Sequence, residues 1–162
     1  MKCILLLQCV CALFSYDGLD YVPLICNGKA QVMETNTGAR VTTLEQTVID
    51  SIADLEKISG MEETLRCLVL IPSLDYRKLL KVLENYDQSQ LYQKVGYILE
   101  IFKDELYLPD IFFEECERKI SHSKIYLFEK QSDFIFHKKW KLYAPKDLRA
   151  IINKGTINYD AR

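Results

Sequence analysis

The side chains best suited to direct chemistry lie near the end of the chain, where cations alternate with aromatic rings. Lysines that flank rings on strands favour contact with nucleic acid, because cations neutralise phosphates and rings stack on bases. An amphipathic strand whose rings face the core and whose lysines face water gives the same pattern. Both interpretations stay open at this point. The candidate contacts are Arg118, Lys119, Lys124, Lys138, Lys139 and Lys141, and the interleaved rings are Tyr126, Phe136 and Trp140.

The distribution of charge singles out the same end of the chain. Residues 1–117 carry 10 Lys and Arg against 19 Asp and Glu, whereas residues 118–162 carry 11 against 4. The two parts nearly cancel, to a net charge of −2. Such asymmetry is typical of an anion-binding surface, or of two segments that pack together and neutralise each other.

Catalytic chemistry has little support in the sequence. The two histidines, His122 and His137, lie in no nucleophile-elbow motif and near no Cys pair. The chain has no Gly-rich phosphate loop and no His-Glu-x-x-His motif. Glu114, Glu115 and Glu117 share a predicted helix, where adjacent side chains diverge and make a poor metal cage. We therefore expect no enzymatic activity, no catalytic residue, no metal and no cofactor.

No pair of the six cysteines has the spacing of a zinc site. We interpret all six as reduced thiols in a cytoplasmic protein. The alternative is a signal peptide in the first 14 residues, which have a basic start and an apolar run. Gln8 interrupts that run, no Ala-x-Ala cleavage site follows, and the run is too short to span a bilayer. We favour a buried first element, helix or strand, and no contact with a membrane.

Hydrophobic periodicity predicts an α+β fold, with one domain over residues 1–152 and a polar tail at 153–162. The Asn-Gly pair at 27–28 predicts a small N-terminal hairpin that joins strands 21–26 and 30–34. Pro23 would place the first of these strands at a sheet edge. A short third strand is predicted at 39–42.

A central bundle of about four helices follows, since short links favour antiparallel neighbours. The first begins after Thr43, and the others cover 61–71, Tyr76–Tyr86 with Asp75 as its cap, and 90–105. A further helix is predicted at 110–120, then strands at 124–129 and 134–143 and a last short helix at 146–152. The expected core stripes are Leu44, Val48, Ile52 and Leu55 in the first helix, Leu65, Leu68 and Val69 in the second, and Leu91, Val95, Leu99, Phe102 and Leu106 in the fourth.

Three polar residues mark the start of the first helix. Thr43 is predicted to cap it, with Gln46 reaching back to complete a capping box. Asp50 lies on the flank of the apolar stripe. It is either a half-buried acid that satisfies a nearby loop or a solvent-facing side chain.

Gly96 and Glu100 mark the fourth helix. A glycine in mid-helix costs about 1 kcal/mol relative to alanine, so Gly96 predicts the close approach of another backbone. Glu100 has two candidate environments. It either pairs with Lys103 on the surface or is buried and tied to the turn after Thr43.

These residues belong to phrases that resemble the C-terminal domain of the AbiEi antitoxin family, the abortive-infection regulators of type IV toxin–antitoxin systems. The family phrase Val-Thr-Ser-Xaa-Glu-Arg-Thr-Leu-Ile-Asp is similar to VTTLEQTVID at 41–50, with Gln46 in place of Arg. Gly-Gly-Xaa-Glu-Glu is similar to SGMEE at 59–63, and Arg-Xaa-Gly-Tyr-Xaa-Leu-Glu to KVGYILE at 94–100. A Trp-led strand that runs into a proline is matched by WKLYAP at 140–145. The resemblance covers about residues 10–150.

The resemblance implies a prokaryotic, cytoplasmic and non-enzymatic regulator. Family members repress their own operon through an N-terminal winged helix and counteract a nucleotidyltransferase-like toxin, and the antitoxin activity is associated with the C-terminal domain. The winged helix has no counterpart in this sequence. The chain is therefore expected to be either a fragment of a longer regulator or a stand-alone antitoxin-type domain in phage defence.

Two further hypotheses come from other classes of function. The chain could be a nucleic-acid-binding domain that acts through its basic last third. It could also be a structural protein-interaction domain that docks through the apolar first element, which leaves homo-oligomerisation open.

Overall fold

The computed structural model describes residues 2–7, 14–16, 19–25, 30–36, 38, 40–55, 61–128 and 133–154. Within these residues the chain forms six helices and three small sheets, so the predicted α+β class is confirmed. None of the helices in this part of the chain is long and apolar enough to cross a membrane. The N-terminal elements are β1 (Lys2–Leu7), β2 (Phe14–Tyr16), β3 (Leu19–Ile25), β4 (Val32–Glu34) and β5 (Arg40–Thr42).

The hairpin predicted between strands 21–26 and 30–34 is wrong. β3 is the central strand of a sheet with the order β1-β3-β2, parallel to β1 and antiparallel to β2. β4 pairs instead with β5, where Gly38 in the connection has a φ of +78°, a conformation that favours glycine. The Asn-Gly pair at 27–28 lies outside the described residues.

Pro23 fits its strand because the pairing on one side of β3 stops short of it. β2 pairs only with residues 19–21 of β3, whereas β1 pairs along its whole length, with Leu5 opposite Pro23. The predicted position at a sheet edge is wrong, because β3 is the central strand of its sheet. At Pro23 this strand has one neighbour among the described strands, which is where a proline is tolerated. The first apolar run, which periodicity could not assign, includes the strand β1.

The four helices predicted for the bundle and the further helix predicted after it are all present, and most of them differ from the prediction at their ends. They are α1 (Leu44–Ala53), α2 (Met61–Val69), α3 (Tyr76–Tyr86), α4 (Ser89–Ile101) and α5 (Asp110–Lys119). α3 has the predicted bounds, and its cap is confirmed because Asp75 Oδ1 accepts from the N–H of Arg77 at 2.9 Å. α4 ends four residues before the predicted 105, where the N–H of Phe102 turns back to the carbonyl of Leu99 at 3.1 Å.

The predicted core stripes are confirmed with two exceptions. All five residues of the predicted fourth stripe are buried, although Phe102 and Leu106 lie beyond the end of α4. Val48, Ile52 and Leu55 of the first stripe are buried as well. Leu44 is 43 % exposed and Val69 is 51 % exposed, so both assignments are wrong. Each lies at an end of its helix, Leu44 as the first residue of α1 and Val69 as the last residue of α2. The core is shared by α1, α3, α4 and α5, and its largest buried side chains include Trp140, Phe102 and Phe112.

The C-terminal region contains three strands where two were predicted. They are β6 (Ile125–Tyr126), β7 (Phe134–His137) and β8 (Leu142–Pro145), in the order β6-β8-β7. The predicted strand 134–143 is divided by a turn at 138–141, in which Lys141 has a φ of 49°. Lys138 and Lys139 therefore lie on a turn and not on a strand. The last helix, α6 (Arg149–Lys154), begins three residues later than predicted and includes the first two residues of the expected tail.

Candidate functional site

Gly96 lies in the middle of α4, directly against the indole ring of Trp140. A Cβ built on Gly96 would lie 2.2, 2.3 and 2.7 Å from the ring atoms Cζ3, Cη2 and Cε3 of Trp140. The indole is 1 % exposed, so it has little room to move away. The predicted close approach is present, but a side chain makes it and not another backbone. Glycine at this position is what allows the tryptophan to pack.

Glu100 lies one turn beyond Gly96 and binds the same indole. Trp140 Nε1 donates to Glu100 Oε2 at 2.7 Å. The second carboxylate oxygen pairs with the ammonium of Lys139, whose Nζ also lies 5.1 Å from the centroid of the Trp140 ring. One carboxylate therefore satisfies a buried indole N–H and a half-exposed lysine together.

Both environments predicted for Glu100 are wrong. Lys103 pairs with Asp110 and not with Glu100. The Glu100 side chain is 35 % exposed, and its carboxylate binds Trp140 and Lys139 rather than the turn after Thr43. The physical reason is the indole: a buried N–H left without an acceptor costs more than a surface ion pair gains.

Gln93 links α4 to the C-terminal sheet, and the sequence analysis missed it. Its side chain is fully buried, and Nε2 lies 3.0 Å from the carbonyl oxygen of Trp140, 3.1 Å from that of Ser123 and 3.3 Å from that of Lys141. Gln93 Oε1 is buried with no hydrogen-bond partner in the described structure. The available signal was its spacing: Gln93 precedes Gly96 by three residues and so lies on the same face of the helix.

At the start of α1 the predicted cap is confirmed and the predicted capping box is wrong. Thr43 Oγ1 accepts from the N–H of Gln46 at 3.3 Å. Gln46 does not reach back to Thr43. Its Nε2 donates to Asp50 Oδ1 at 2.6 Å, and its Oε1 accepts from the N–H of Gln31 at 2.9 Å. Gln46 therefore joins the segment before β4 to the interior of α1.

Asp50 is buried, at 1 % exposure, and ties α1 to α3. Its Oδ1 accepts from both Gln46 Nε2 and the hydroxyl of Tyr86, while Oδ2 has no hydrogen-bond partner among the described residues. Burial raises the pKa of the Asp50 carboxyl above its ordinary value, and the two hydrogen bonds only partly oppose that rise. The acid therefore belongs to the interior and connects helices rather than facing solvent.

A second buried acid on α1 also escaped the sequence analysis. Glu45 is 7 % exposed, and its Oε1 accepts from the backbone N–H of Asp75 at 3.2 Å. Asp75 is the cap of α3, so the first turn of α1 holds the start of α3 in place. An acid in the first turn of a helix is usually explained by its favourable interaction with the helix dipole, so the sequence offered no reason to expect this longer-range contact.

The six basic residues proposed for phosphate contact divide into two groups of three. Arg118, Lys119 and Lys139 are ion-paired with acids, which neutralise them locally. These pairs are Arg118 with Glu115 at 2.5 Å and Glu114 at 4.0 Å, Lys119 with Glu84 at 2.8 Å, and Lys139 with Glu100 and with Glu117 at 3.1 Å.

Lys124, Lys138 and Lys141 form the second group and lie at one end of the C-terminal sheet. The N–H of Ile125 donates to the Lys141 carbonyl at 3.2 Å, and the N–H of Lys141 donates to the Lys138 carbonyl at 3.3 Å. Lys124 Nζ lies 5.0 Å from the centroid of the Phe136 ring. Within the described part of the chain, none of these three lysines pairs with an acid.

Three aromatic rings stand side by side across this sheet. Tyr126 of β6 is opposite Tyr143 of β8, which is opposite Phe136 of β7. The Tyr126 and Tyr143 rings are stacked with centroids 4.9 Å apart, and the Phe136 and Tyr143 centroids are 5.1 Å apart. We call Tyr126, Tyr143 and Phe136 the aromatic row.

The two histidines have different surroundings. His137 Nε2 lies 3.3 Å from the hydroxyl of Tyr97, which also donates to the Pro145 carbonyl at 3.2 Å. Burial raises the pKa of Tyr97 to about 12, so this contact involves a neutral phenol at physiological pH. His122 is exposed. His137 thus belongs to the junction between α4 and the C-terminal sheet.

No cluster of three or more His, Cys, Asp or Glu side chains in the described ranges could hold a metal ion. Comparison with known proteins gives no assignment either. No family model, no curated protein and no solved structure matches this chain.

Proposed function

We propose that this chain is a non-enzymatic regulatory domain of the antitoxin type, which counteracts a nucleotidyltransferase-like toxin in the cytoplasm of a prokaryote. One observation carries the proposal. The phrases KVGYILE at 94–100 and WKLYAP at 140–145, which each resemble an AbiEi phrase, meet in the structure through Gly96, Glu100 and Trp140.

This contact supports the resemblance because it joins two sequence phrases that were each matched to the family separately. Gly96 and Trp140 are 44 positions apart in the sequence, yet each explains why the other residue type is needed. A tryptophan that packs on a helix requires a glycine beneath it and an acceptor for its N–H. Phrases matched by chance have no reason to supply a glycine, an acceptor and an indole that fit one another.

The non-enzymatic part of the proposal rests on how the polar residues of these phrases are used. Gln46, Asp50 and Glu100 all have partners within the protein and connect elements of the fold. Side chains committed to such contacts are not available to act on a substrate. Through the same resemblance, a contribution to transcriptional regulation belongs to the proposal.

Growth rescue tests this function. A nucleotidyltransferase-like toxin should be encoded beside the gene for this chain. When that neighbour is induced alone and together with the chain, we expect growth to be restored in the second case. Gly96→Leu, which cannot seat the Trp140 ring, is the control for a requirement for the folded domain and should not rescue. Lys78→Ala, at an exposed position of α3, is the matched surface control and should rescue fully. Failure of the unmodified chain to restore growth contradicts the proposal.

A further inference from the structure

We infer that the outer face of the C-terminal sheet binds single-stranded nucleic acid, with the exposed Phe136 ring at the end of the aromatic row stacking on a base and Lys124, Lys138 and Lys141 contacting phosphates. The inference does not depend on the antitoxin proposal. It rests on which face of the sheet carries the rings, on where Lys124, Lys138 and Lys141 lie, and on the size of the surface.

The rings lie on the face of the sheet opposite the core. Along β8, Leu142 and Ala144 are fully buried, whereas Tyr143 is only partly buried, so Tyr143 points away from the core. Residues directly opposite each other in a ladder share a face, which places Tyr126 and Phe136 beside Tyr143. The interpretation in which these rings face the core and the lysines face water is therefore wrong for the aromatic row. It holds for Trp140, which is buried.

The lysines that pair with no acid among the described residues gather at one end of this row. Lys141 immediately precedes β8, Lys124 immediately precedes β6, and the two strands are parallel neighbours. Lys138 belongs to the turn that connects β7 to β8. Asp133 lies at the opposite end, before the first residue of β7. The three lysines therefore gather at one end of the rings, and Asp133 lies away from them.

The size of this face favours single-stranded nucleic acid over the other classes of partner. A standard protein interface covers about 800 Å² on each partner, whereas this face offers one exposed ring and three lysines. In a duplex the bases are already stacked on each other, so that ring would have nothing to stack on. A single strand exposes its bases and carries a phosphate at each step, which matches an exposed ring flanked by lysines.

Fluorescence anisotropy with labelled oligonucleotides of about 12 nucleotides tests the inference. The probes are a mixed pyrimidine single strand, as RNA and as DNA, and the duplex of the same sequence, each at about 50 and 200 mM salt. We expect both single strands to bind more tightly than the duplex, and binding to weaken as salt rises. Duplex binding as tight as single-strand binding, or no binding at low salt, overturns the inference.

Two kinds of variant separate stacking from charge. Phe136→Ala removes an exposed ring and should weaken single-strand binding by about tenfold, the size of one stacked base, whereas Phe136→Tyr should retain it. The double variant Lys124→Gln with Lys141→Asn should reduce the dependence on salt, and asparagine tolerates the left-handed backbone at position 141.

Lys78→Ala, on α3, is the matched control and should change neither property. Circular dichroism melts check that each variant is folded. If Phe136→Ala does not fold, the double lysine variant still tests the same face. Unchanged binding in folded Phe136→Ala overturns the stacking role. A protein partner that requires Phe136, together with no oligonucleotide binding, assigns the face to protein recognition and also overturns the inference.

Discussion

Gly96 and Trp140 are complementary: the indole occupies the space in which any other residue at position 96 would place its Cβ, with the nearest ring atom 2.2 Å away. The ring is held over the glycine from its other end, because its N–H donates to Glu100 one turn along the same helix. A helix and a turn that are far apart in sequence are thereby fixed at one distance and one orientation.

Gly96→Ala should destabilise the protein, although the same change stabilises an open helix by about 1 kcal/mol. The added methyl overlaps the indole, and overpacking of this kind costs about 1–3 kcal/mol or more. Urea unfolding followed by circular dichroism measures the loss. In a Trp140→Leu background the alanine should cost much less, so the two changes should be non-additive. Increased stability of Gly96→Ala would contradict the contact.

Glu100→Ala should cost about 1–3 kcal/mol, since it leaves the buried Trp140 N–H without its acceptor. Glu100→Gln keeps an acceptor oxygen and loses only the ion pair with Lys139, which is partly exposed and worth less than about 1 kcal/mol. Lys139→Ala removes the same ion pair from the other side and is the matched control. If Glu100→Gln lost as much free energy of unfolding as Glu100→Ala, the ion pair, and not the hydrogen bond to the indole, would dominate.

Replacement of Asp50 should change how stability depends on pH. Burial raises its folded-state pKa, so the neutral acid contributes stability that is complete below the unfolded value of 3.8 and is lost as pH rises through the folded pKa. Asp50→Asn cannot ionise and keeps an oxygen for Tyr86 and Gln46. Its stability relative to the unmodified protein should therefore increase as pH rises from 3.8 through that folded pKa. Urea unfolding across this range measures the difference.

Asp50→Ala provides the contrast to Asp50→Asn. It removes the acceptor of two hydrogen bonds and should destabilise at every pH, by about 1–3 kcal/mol. If the asparagine variant instead lost stability relative to the unmodified protein as pH rose, the carboxylate would be favoured by the fold and the assignment of burial as the main cause would be wrong.

Cys67 and Cys116 should differ sharply in reactivity. Cys67 is exposed, whereas Cys116 is fully buried and its pKa is raised to about 12 by burial. Because the thiolate is the reactive form, iodoacetamide at neutral pH should label Cys67 quickly and Cys116 only after unfolding. Mass spectrometry of the two peptides measures this, with labelling in urea as the control. Equal rates in the native protein would place Cys116 at the surface.

Local signals in the sequence were sufficient for some elements of the candidate site. The cap of α3 by Asp75 and the cap of α1 by Thr43 depend on residues within a few positions, so both could be predicted. The cost of glycine in a helix likewise indicated that Gly96 must have a special neighbour. The identity of that neighbour could not be predicted, because nothing near Gly96 in the sequence specifies the contact with position 140.

The sequence by itself determined the α+β class, the helical bundle and the positions at which special packing is required, because propensity, capping and periodicity act over one or two turns. Only the tertiary structure decided the partners of Gln46, Glu100 and Gln93. It also decided which basic residues are neutralised by acids and which face of the last sheet carries Tyr126, Tyr143 and Phe136. The reason is physical: these outcomes depend on strand order and register, which arise from contacts between residues far apart in the chain.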